Sequence, residues 1–152
     1  MTAFELTGQI LILVLLLVFS CIMSRYDLKT LAVPNWPYWA ACVLIITVRI
    51  IFYSATVYLN LLSALILLVV YFAVRLITKN HLGTGDVYFG IFQGLCLAPQ
   101  VLWICLAVET VTGAIVYFCI SRSKKIKGMK MPFIPFMSLG LLTAFLIEWI
   151  WF

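Results

Sequence analysis

The amino-acid sequence predicts an all-α integral membrane protein: a bundle of six transmembrane helices with short loops, forming one domain over residues 1–152. Of the 152 residues, 66% are hydrophobic and 10% are charged, whereas a soluble domain carries about 25% charged residues. A crossing needs about 20 residues, so the chain has room for about five or six. The predicted spans are residues 9–23, 38–52, 58–77, 87–98, 101–120 and 133–151.

The basic residues predict the orientation of these spans. Nine of the ten Lys and Arg residues fall in three clusters, which are separated by pairs of apolar runs. Loops rich in Lys and Arg stay on the cytoplasmic side, so residues 24–36, 78–85 and 121–132 are predicted to be cytoplasmic and both termini to be outside. The formal net charge of +5 is interpreted as a topology signal and as contact with the lipid bilayer. No nucleic-acid partner is expected.

The first two spans are bounded by charges and prolines. The first apolar run is predicted to be a retained helix and not a signal peptide, because Glu5 and no basic residue precede it. Pro34 and Pro37 then stop the helix before the second span begins. Arg49 is the one basic residue near the outer end of a span, and its long stem predicts that its guanidinium snorkels to the headgroups.

The fourth span is the shortest of the six. Only residues 87–98 lie between the preceding turn and Pro99, which is short for a crossing at about 1.5 Å per residue. Either this helix begins within the turn at residues 83–86 and the bilayer thins, or the segment is partly re-entrant. The fifth span carries Glu109 near its middle, and the sixth follows the most basic loop.

The sequence holds no pattern of a metal or cofactor site. Its five cysteines all fall within apolar runs, without a CxxC pair or a nearby histidine, whereas a zinc site needs paired ligands. They are interpreted as small apolar residues that face lipid or the core. No metal and no cofactor are therefore expected.

The acidic residues are few, and the predicted topology places two of them at the cytoplasmic face. The five are Glu5, Asp27, Asp86, Glu109 and Glu148. Asp27 lies at the inner end of the first span and Asp86 at the inner end of the fourth, so a compact bundle would bring the two carboxyls together. Two close carboxyls in a partly dry site share one proton. Such a pair can activate a water molecule and protonate a leaving group, which predicts peptide hydrolysis.

Each aspartate also has a purely structural interpretation. Asp27 can be a solvated loop acid between two basic residues, and Asp86 can be a helix N-cap. Capping leaves the flanking Gly83 and Gly85 unexplained, whereas glycine permits a bent chain and close approach of another backbone.

Three motifs resemble those of the type IV prepilin peptidases, which are membrane aspartic proteases of the GxGD type. Residues 27–35 (DLKTLAVPN) resemble their first aspartate motif, residues 83–86 (GTGD) match their GxGD motif, and residues 131–136 (MPFIPF) with Gly140 resemble the entry to their last helix. The resemblance implies a membrane-embedded aspartic endopeptidase with Asp27 and Asp86 as its catalytic pair. The further residues that it implies as supporting or tuning the site are Gly83, Gly85, Pro34, Asn35, Lys29, Tyr88, Pro132 and Pro135.

The same resemblance implies a substrate and a subfamily. The substrate would be a prepilin-like precursor (a pseudopilin, competence pilin or preflagellin) that loses its short basic leader at the cytoplasmic face of the cell membrane. Family members often carry Lys where Tyr88 stands, and Lys79 or His81 can compensate for that charge. The chain lacks the cytoplasmic insert with paired CxxC motifs, so it resembles the short six-span members and no methyltransferase activity is expected.

Two other functions fit the composition. One is a small proton-coupled membrane transporter with Glu109 on an ion path, although its essential acids would be expected near the midplane. The other is a non-catalytic membrane assembly factor. This alternative stays open because Tyr88 stands where family members often carry Lys. Glu109, Gln93 and Thr112 are otherwise expected to form hydrogen bonds within the membrane, and a proton relay is the alternative role for Glu109.

Overall fold

The computed structural model describes residues 3–30, 34–79, 82–123 and 132–151, and these residues form an all-helical bundle. The prediction of an all-α fold is confirmed over this part of the chain. The helices are α1 (Ala3–Thr30), α2 (Trp36–Tyr53), α3 (Val57–Ile77), α4 (Thr84–Cys96), α5 (Leu102–Ser123) and α6 (Ile134–Trp151), and a 3₁₀ turn at Pro99–Val101 leads into α5.

Among the described residues, five helical segments are long and apolar enough to cross a membrane. They are Ala3–Thr30, Trp36–Tyr53, Val57–Ile77, Pro99–Cys119 and Ile134–Trp151. The helix α4 has 13 residues, and at about 1.5 Å per residue it is shorter than a hydrocarbon core of about 30 Å.

The distribution of polarity is that of a membrane protein. Large apolar side chains face outward, with Val43 63% exposed, Ile77 80% exposed and Ile150 78% exposed. Polar side chains are buried instead, among them Gln93 and Glu109. In a bilayer the lipid tails cover the apolar surface, and polar side chains find their hydrogen-bond partners inside the bundle.

The short helix α4 lies at the centre of the bundle. It packs against α2, α3 and α6, while α1 packs against α2 and α6, and α5 packs against α6. Two glycines allow the close contact with α3: a Cβ on Gly94 would lie 2.3 Å from the Cα of Ala64, and a Cβ on Gly90 would lie 2.2 Å from Cδ2 of Tyr71. Any larger side chain at either position would push the two helices apart.

The prediction that Arg49 snorkels to the headgroups is wrong. Arg49 is only 8% exposed, and its guanidinium donates a hydrogen bond to the carbonyl oxygen of Cys96, the last residue of α4. It also lies 5.4 Å from the centre of the Tyr53 ring. Because the last carbonyls of a helix lack intrahelical partners and carry partial negative charge, a buried cation is stabilised there.

Side chains also satisfy the backbone of the turn between α4 and α5. The amide of Asn60 donates to the carbonyl oxygen of Leu97 over 3.0 Å, and the N–H of Ala98 donates to Oε2 of Glu148 over 2.9 Å. An unpaired backbone group in lipid costs several kcal/mol. These bonds therefore explain how so short a helix can end inside the bundle.

Two helix boundaries refine the sequence analysis. The helix α1 continues to Thr30, so the prediction of a loop from residue 24 is wrong for residues 24–30, a stretch that contains no Pro or Gly. The helix α4 begins at Thr84, within the glycine turn, which is the first of the two alternatives that the sequence left open.

Candidate active site

Asp86 lies in the first turn of α4, held by the backbone of the glycine that precedes the helix. The N–H of Gly83 donates to Oδ2 of Asp86 over 3.0 Å, and Asp86 is 8% exposed. Gly83, and not Asp86, is the N-cap residue, so the N-cap interpretation of Asp86 is wrong. A Cβ on Gly83 would lie 3.1 Å from Oδ2 of Asp86, which explains why glycine suits this position.

Asp27 lies in the last turns of α1 and contacts the start of α6. It is 8% exposed, and its Oδ2 accepts a hydrogen bond of 3.0 Å from the N–H of Ile134, the first residue of α6. The interpretation of Asp27 as a solvated loop acid is therefore wrong. Pro135 follows directly and has no N–H to satisfy, as suits the first turn of a helix. Pro132 precedes the helix and is half-buried.

The helix α6 connects the helices that carry the two aspartates. Asp27 bonds to the start of α6, and α6 packs against α4, which begins two residues before Asp86. The two carboxyls are close enough that the charge of Asp27 acts on Asp86. This interaction agrees with the predicted approach of the two carboxyls, which stays a prediction.

The surroundings of Asp86 favour its protonated form. Asp86 lies outside the five span-length segments, and burial raises its pKa from 3.8 to about 7. The negative charge of Asp27 acts in the same direction, while the hydrogen bond from Gly83 opposes it. A carboxyl with such a pKa can both take up and release a proton near neutral pH.

Tyr38 is a residue of this region that the sequence analysis missed. It lies in the first turn of α2 and is 1% exposed, and its hydroxyl has no hydrogen-bond partner among the described residues. The charges of both aspartates reach it, and its ring packs against Phe19 at 5.8 Å and Tyr88 at 6.0 Å. In the sequence it stands between Trp36 and Trp39 and so resembles an interfacial aromatic. In the structure it begins a buried stripe on α2 that helical spacing could have shown: Tyr38, Ala41, Cys42, Ile45 and Arg49.

The other residues of the first motif lie at the surface beside α2. Pro34 and Asn35 directly precede the helix and are exposed, and Asn35 makes no capping hydrogen bond with its side chain. Pro34 lines an apolar groove of about 320 Å³ between α1 and α2. Lys29 is exposed in the last turn of α1.

The residues that follow the second motif differ in their surroundings. Gly85 lies in the first turn of α4. Tyr88 is half-buried, and its ring packs against Trp39 at 5.8 Å as well as against Tyr38. Lys79 follows α3 with a φ of 52°, and His81 lies outside the described residues.

The expected hydrogen bonds of the buried polar residues are confirmed. Glu109 bonds to Tyr71 and to Gln93, and the hydroxyl of Thr112 donates to the carbonyl of Val108 in its own helix. Within the described part of the chain, no group of three or more His, Cys, Asp or Glu side chains lies together as a metal site would require.

Comparison with known proteins gives one match. A family model described as "Type IV leader peptidase family" matches residues 13–118, which is more than half of the chain and includes Asp27 and Asp86. Searches of curated proteins and of solved structures gave no match.

Proposed function

Because the chain belongs to the type IV leader peptidase family, we propose that it is an aspartic endopeptidase that cleaves the basic leader from prepilin-like precursors. The family makes it a membrane peptidase, and five span-length helical segments agree with a multi-pass membrane protein. The catalytic pair, the substrate and the membrane face are our proposal.

The observation that carries the proposal is a pair of buried carboxyls on different helices, with the charge of Asp27 acting on Asp86. Asp27 and Asp86 are each 8% exposed. One oxygen of Asp27 accepts a hydrogen bond from the N–H of Ile134, and one oxygen of Asp86 accepts a hydrogen bond from the N–H of Gly83. These bonds fix the orientation of both side chains. The electrostatic coupling between them supports a pair that shares one proton.

In the proposed reaction the pair works without a metal or a nucleophilic side chain. The ionised carboxylate takes a proton from water, whose oxygen forms a bond to the carbonyl carbon of the scissile peptide, and the protonated carboxyl gives its proton to the carbonyl oxygen. The resulting diol returns a proton to one carboxylate. The other carboxyl protonates the amide nitrogen, and the C–N bond breaks, leaving the pair with the single proton it began with.

We further propose six membrane helices with both termini outside and the aspartates at the cytoplasmic face. Arg25, Lys29 and Arg75 lie towards the helix ends where the aspartates meet, and the positive-inside rule places such ends in the cytosol. The short helix α4 would then enter from that face. A precursor with a basic leader and an apolar helix would present its junction there. The chain has no insert with paired CxxC motifs, so we propose no methyltransferase step.

The test is cleavage of a synthetic precursor with a basic leader and an apolar helix, by the purified protein in vesicles. Mass spectrometry should show a single cut at the junction. D27N and D86N are the matched controls, because an asparagine oxygen can still accept the backbone hydrogen bond of each site. An intact precursor after incubation with the folded wild-type protein would overturn the proposal, and so would full cleavage by either variant.

No specific observation favours either alternative function, the transporter or the assembly factor. A transporter with Glu109 on an ion path needs that carboxyl to be accessible, whereas Glu109 is 1% exposed and bonded through both oxygens. The non-catalytic assembly factor rested on Tyr88, which stands where family members often carry Lys. Nothing in the described residues indicates that this replacement abolishes activity.

A further inference from the structure

A second polar cluster joins four helices in the interior, away from the aspartates. Tyr71 of α3, Gln93 of α4 and Glu109 of α5 are respectively 3%, 0% and 1% exposed. The carbonyl oxygen of Met137 in α6 also belongs to the cluster. The three side chains are called the Tyr71–Gln93–Glu109 cluster below.

The contacts of Gln93 fix the orientation of its amide. Its Nε2 donates to Oε2 of Glu109 over 3.2 Å and to the carbonyl oxygen of Met137 over 2.9 Å, and it lies 3.4 Å from Sγ of Cys105. A flipped amide would place an oxygen against two oxygen acceptors, which the hydrogen-bond pattern forbids. Oε1 of Gln93 must therefore face the Tyr71 hydroxyl, at 2.9 Å.

The number of protons then determines the state of Glu109. The hydroxyl of Tyr71 contacts both Oε1 of Gln93 and Oε1 of Glu109, but it has one hydrogen to donate. If Glu109 is ionised, one of these two contacts has no hydrogen between its oxygens and is therefore not a hydrogen bond. With a proton on Oε1 of Glu109, that carboxyl donates to Tyr71, Tyr71 donates to Gln93, and Gln93 donates to Oε2 of Glu109.

This arrangement closes a ring in which every polar group has a partner. The partners of Glu109 are a neutral hydroxyl and a neutral amide, and neither compensates a negative charge. An uncompensated carboxylate in a dry interior is much costlier than a neutral carboxyl with its hydrogen bonds made. The titratable groups around Glu109 are the Tyr71 hydroxyl and the Cys105 thiol, which are neutral in their ordinary forms, and Asp86, whose negative charge would disfavour a second one on Glu109.

We propose that Glu109 carries a proton and closes a hydrogen-bonded ring with Tyr71 and Gln93 that holds α4 in place and so positions Asp86. Gln93 follows Asp86 by seven residues, which is about two turns and returns to the same face of the helix. Gly90 lies between them, and the Tyr71 ring is so close to it that a Cβ would lie 2.2 Å away. A rotation or shift of α4 would break the ring and drive Gly90 into Tyr71.

This inference rests on the proposed function only for its effect on cleavage. Glu109 acts as a positioning residue, because in its protonated form it carries no charge that acts on Asp86 and it reaches Asp86 through the packing of α4. In E109Q an amide N–H can donate to Tyr71 and the amide oxygen can accept from Gln93, so the ring stays closed. E109A opens the ring, and Y71F is a second variant that opens it without a cavity of that size.

The closing experiment compares cleavage and infrared spectra of these variants. We expect E109Q to keep kcat within about twofold of wild type, and E109A and Y71F to lower kcat about 10- to 100-fold with little change in KM, as for misplaced catalytic groups. A folded but inactive E109Q would overturn the proposal, since it would mean that the carboxyl must ionise. Wild-type kcat in E109A would overturn it too.

The infrared arm does not need activity. In a D27N/D86N background at neutral pH, we expect a protonated-carboxyl band that disappears on adding E109Q. Absence of that band overturns the ring whatever the cleavage assay shows. The band can also be present while the wild-type protein fails to cut its precursor. That result would support the ring and overturn only the peptidase proposal.

Discussion

At the scale of single residues, the two aspartates have a structural role and, in the proposed function, a chemical one as well. Each accepts a hydrogen bond from the backbone at the start of a helix, Asp86 at α4 and Asp27 at α6. Negative charge near a helix N-terminus is favourable, so the fold can hold both acids although burial opposes their ionisation. The same contacts orient the carboxyls, which is what a proton-sharing pair requires.

Tyr38 gives a prediction that does not depend on the enzyme reaction. A buried hydroxyl without a partner costs about 1–3 kcal/mol, and the Tyr38 hydroxyl has no partner within the part of the chain that the structure describes. We expect Y38F to raise the thermal unfolding midpoint of the purified protein in detergent. The matched control is Y71F, whose hydroxyl is bonded to Gln93 and Glu109, and it should lower the midpoint. A lower midpoint for Y38F would contradict the assignment.

Sequence reasoning found the aspartates and missed the residues around them for a physical reason. An acid beside two glycines in an apolar chain is conspicuous, because its burial is costly and rarely kept without use. Tyr38 and Arg49 resemble ordinary interfacial residues in the sequence. Their roles depend on α4 packing against α2 and ending beside Arg49, and a local pattern does not show which helix becomes a neighbour.

At the scale of the helices, α4 is the element on which the site depends. It carries Asp86 in its first turn, Gln93 in the Tyr71–Gln93–Glu109 cluster and Cys96 against Arg49. Its shortness was predictable from Pro99, and its start within the glycine turn was one of two alternatives. Its central position was not predictable, since it follows from glycines that match the surface of α3.

Gly94 tests that close packing. A Cβ there would meet the backbone of Ala64 at 2.3 Å, and a backbone cannot rotate away as a side chain can. We expect G94A to destabilise the protein by about 1–3 kcal/mol or more, as overpacked cores do, measured as a lower thermal midpoint and a loss of cleavage.

G113A is the matched control for that substitution. A Cβ on Gly113 would lie 3.3 Å from a ring carbon of Phe133, which can shift slightly, and alanine favours a helix by about 1 kcal/mol over glycine. G113A should therefore be near neutral or stabilising. If G94A were as stable as G113A, the close contact between α3 and α4 would be wrong.

At the scale of the whole molecule, polar groups hold the bundle together at three levels. Asp27 joins α1 to α6 at one end. The Tyr71–Gln93–Glu109 cluster joins α3, α4, α5 and α6 in the interior, and Arg49, Asn60 and Glu148 enclose the end of α4. Composition alone predicted a membrane protein whose apolar helices face lipid. It did not predict these connections, because the membrane provides no hydrophobic force that selects helix partners.

The central claim is that Asp27 and Asp86 act as one catalytic unit, and a double-variant comparison tests it most directly. Cleavage of the synthetic precursor is measured for wild type, D27N, D86N and D27N/D86N in parallel, with helical content and thermal midpoint as checks of folding. Residues that act as a unit are strongly non-additive, so we predict that all three variants fall to the same background rate. A folded single variant that still cuts faster than the double variant would contradict the account.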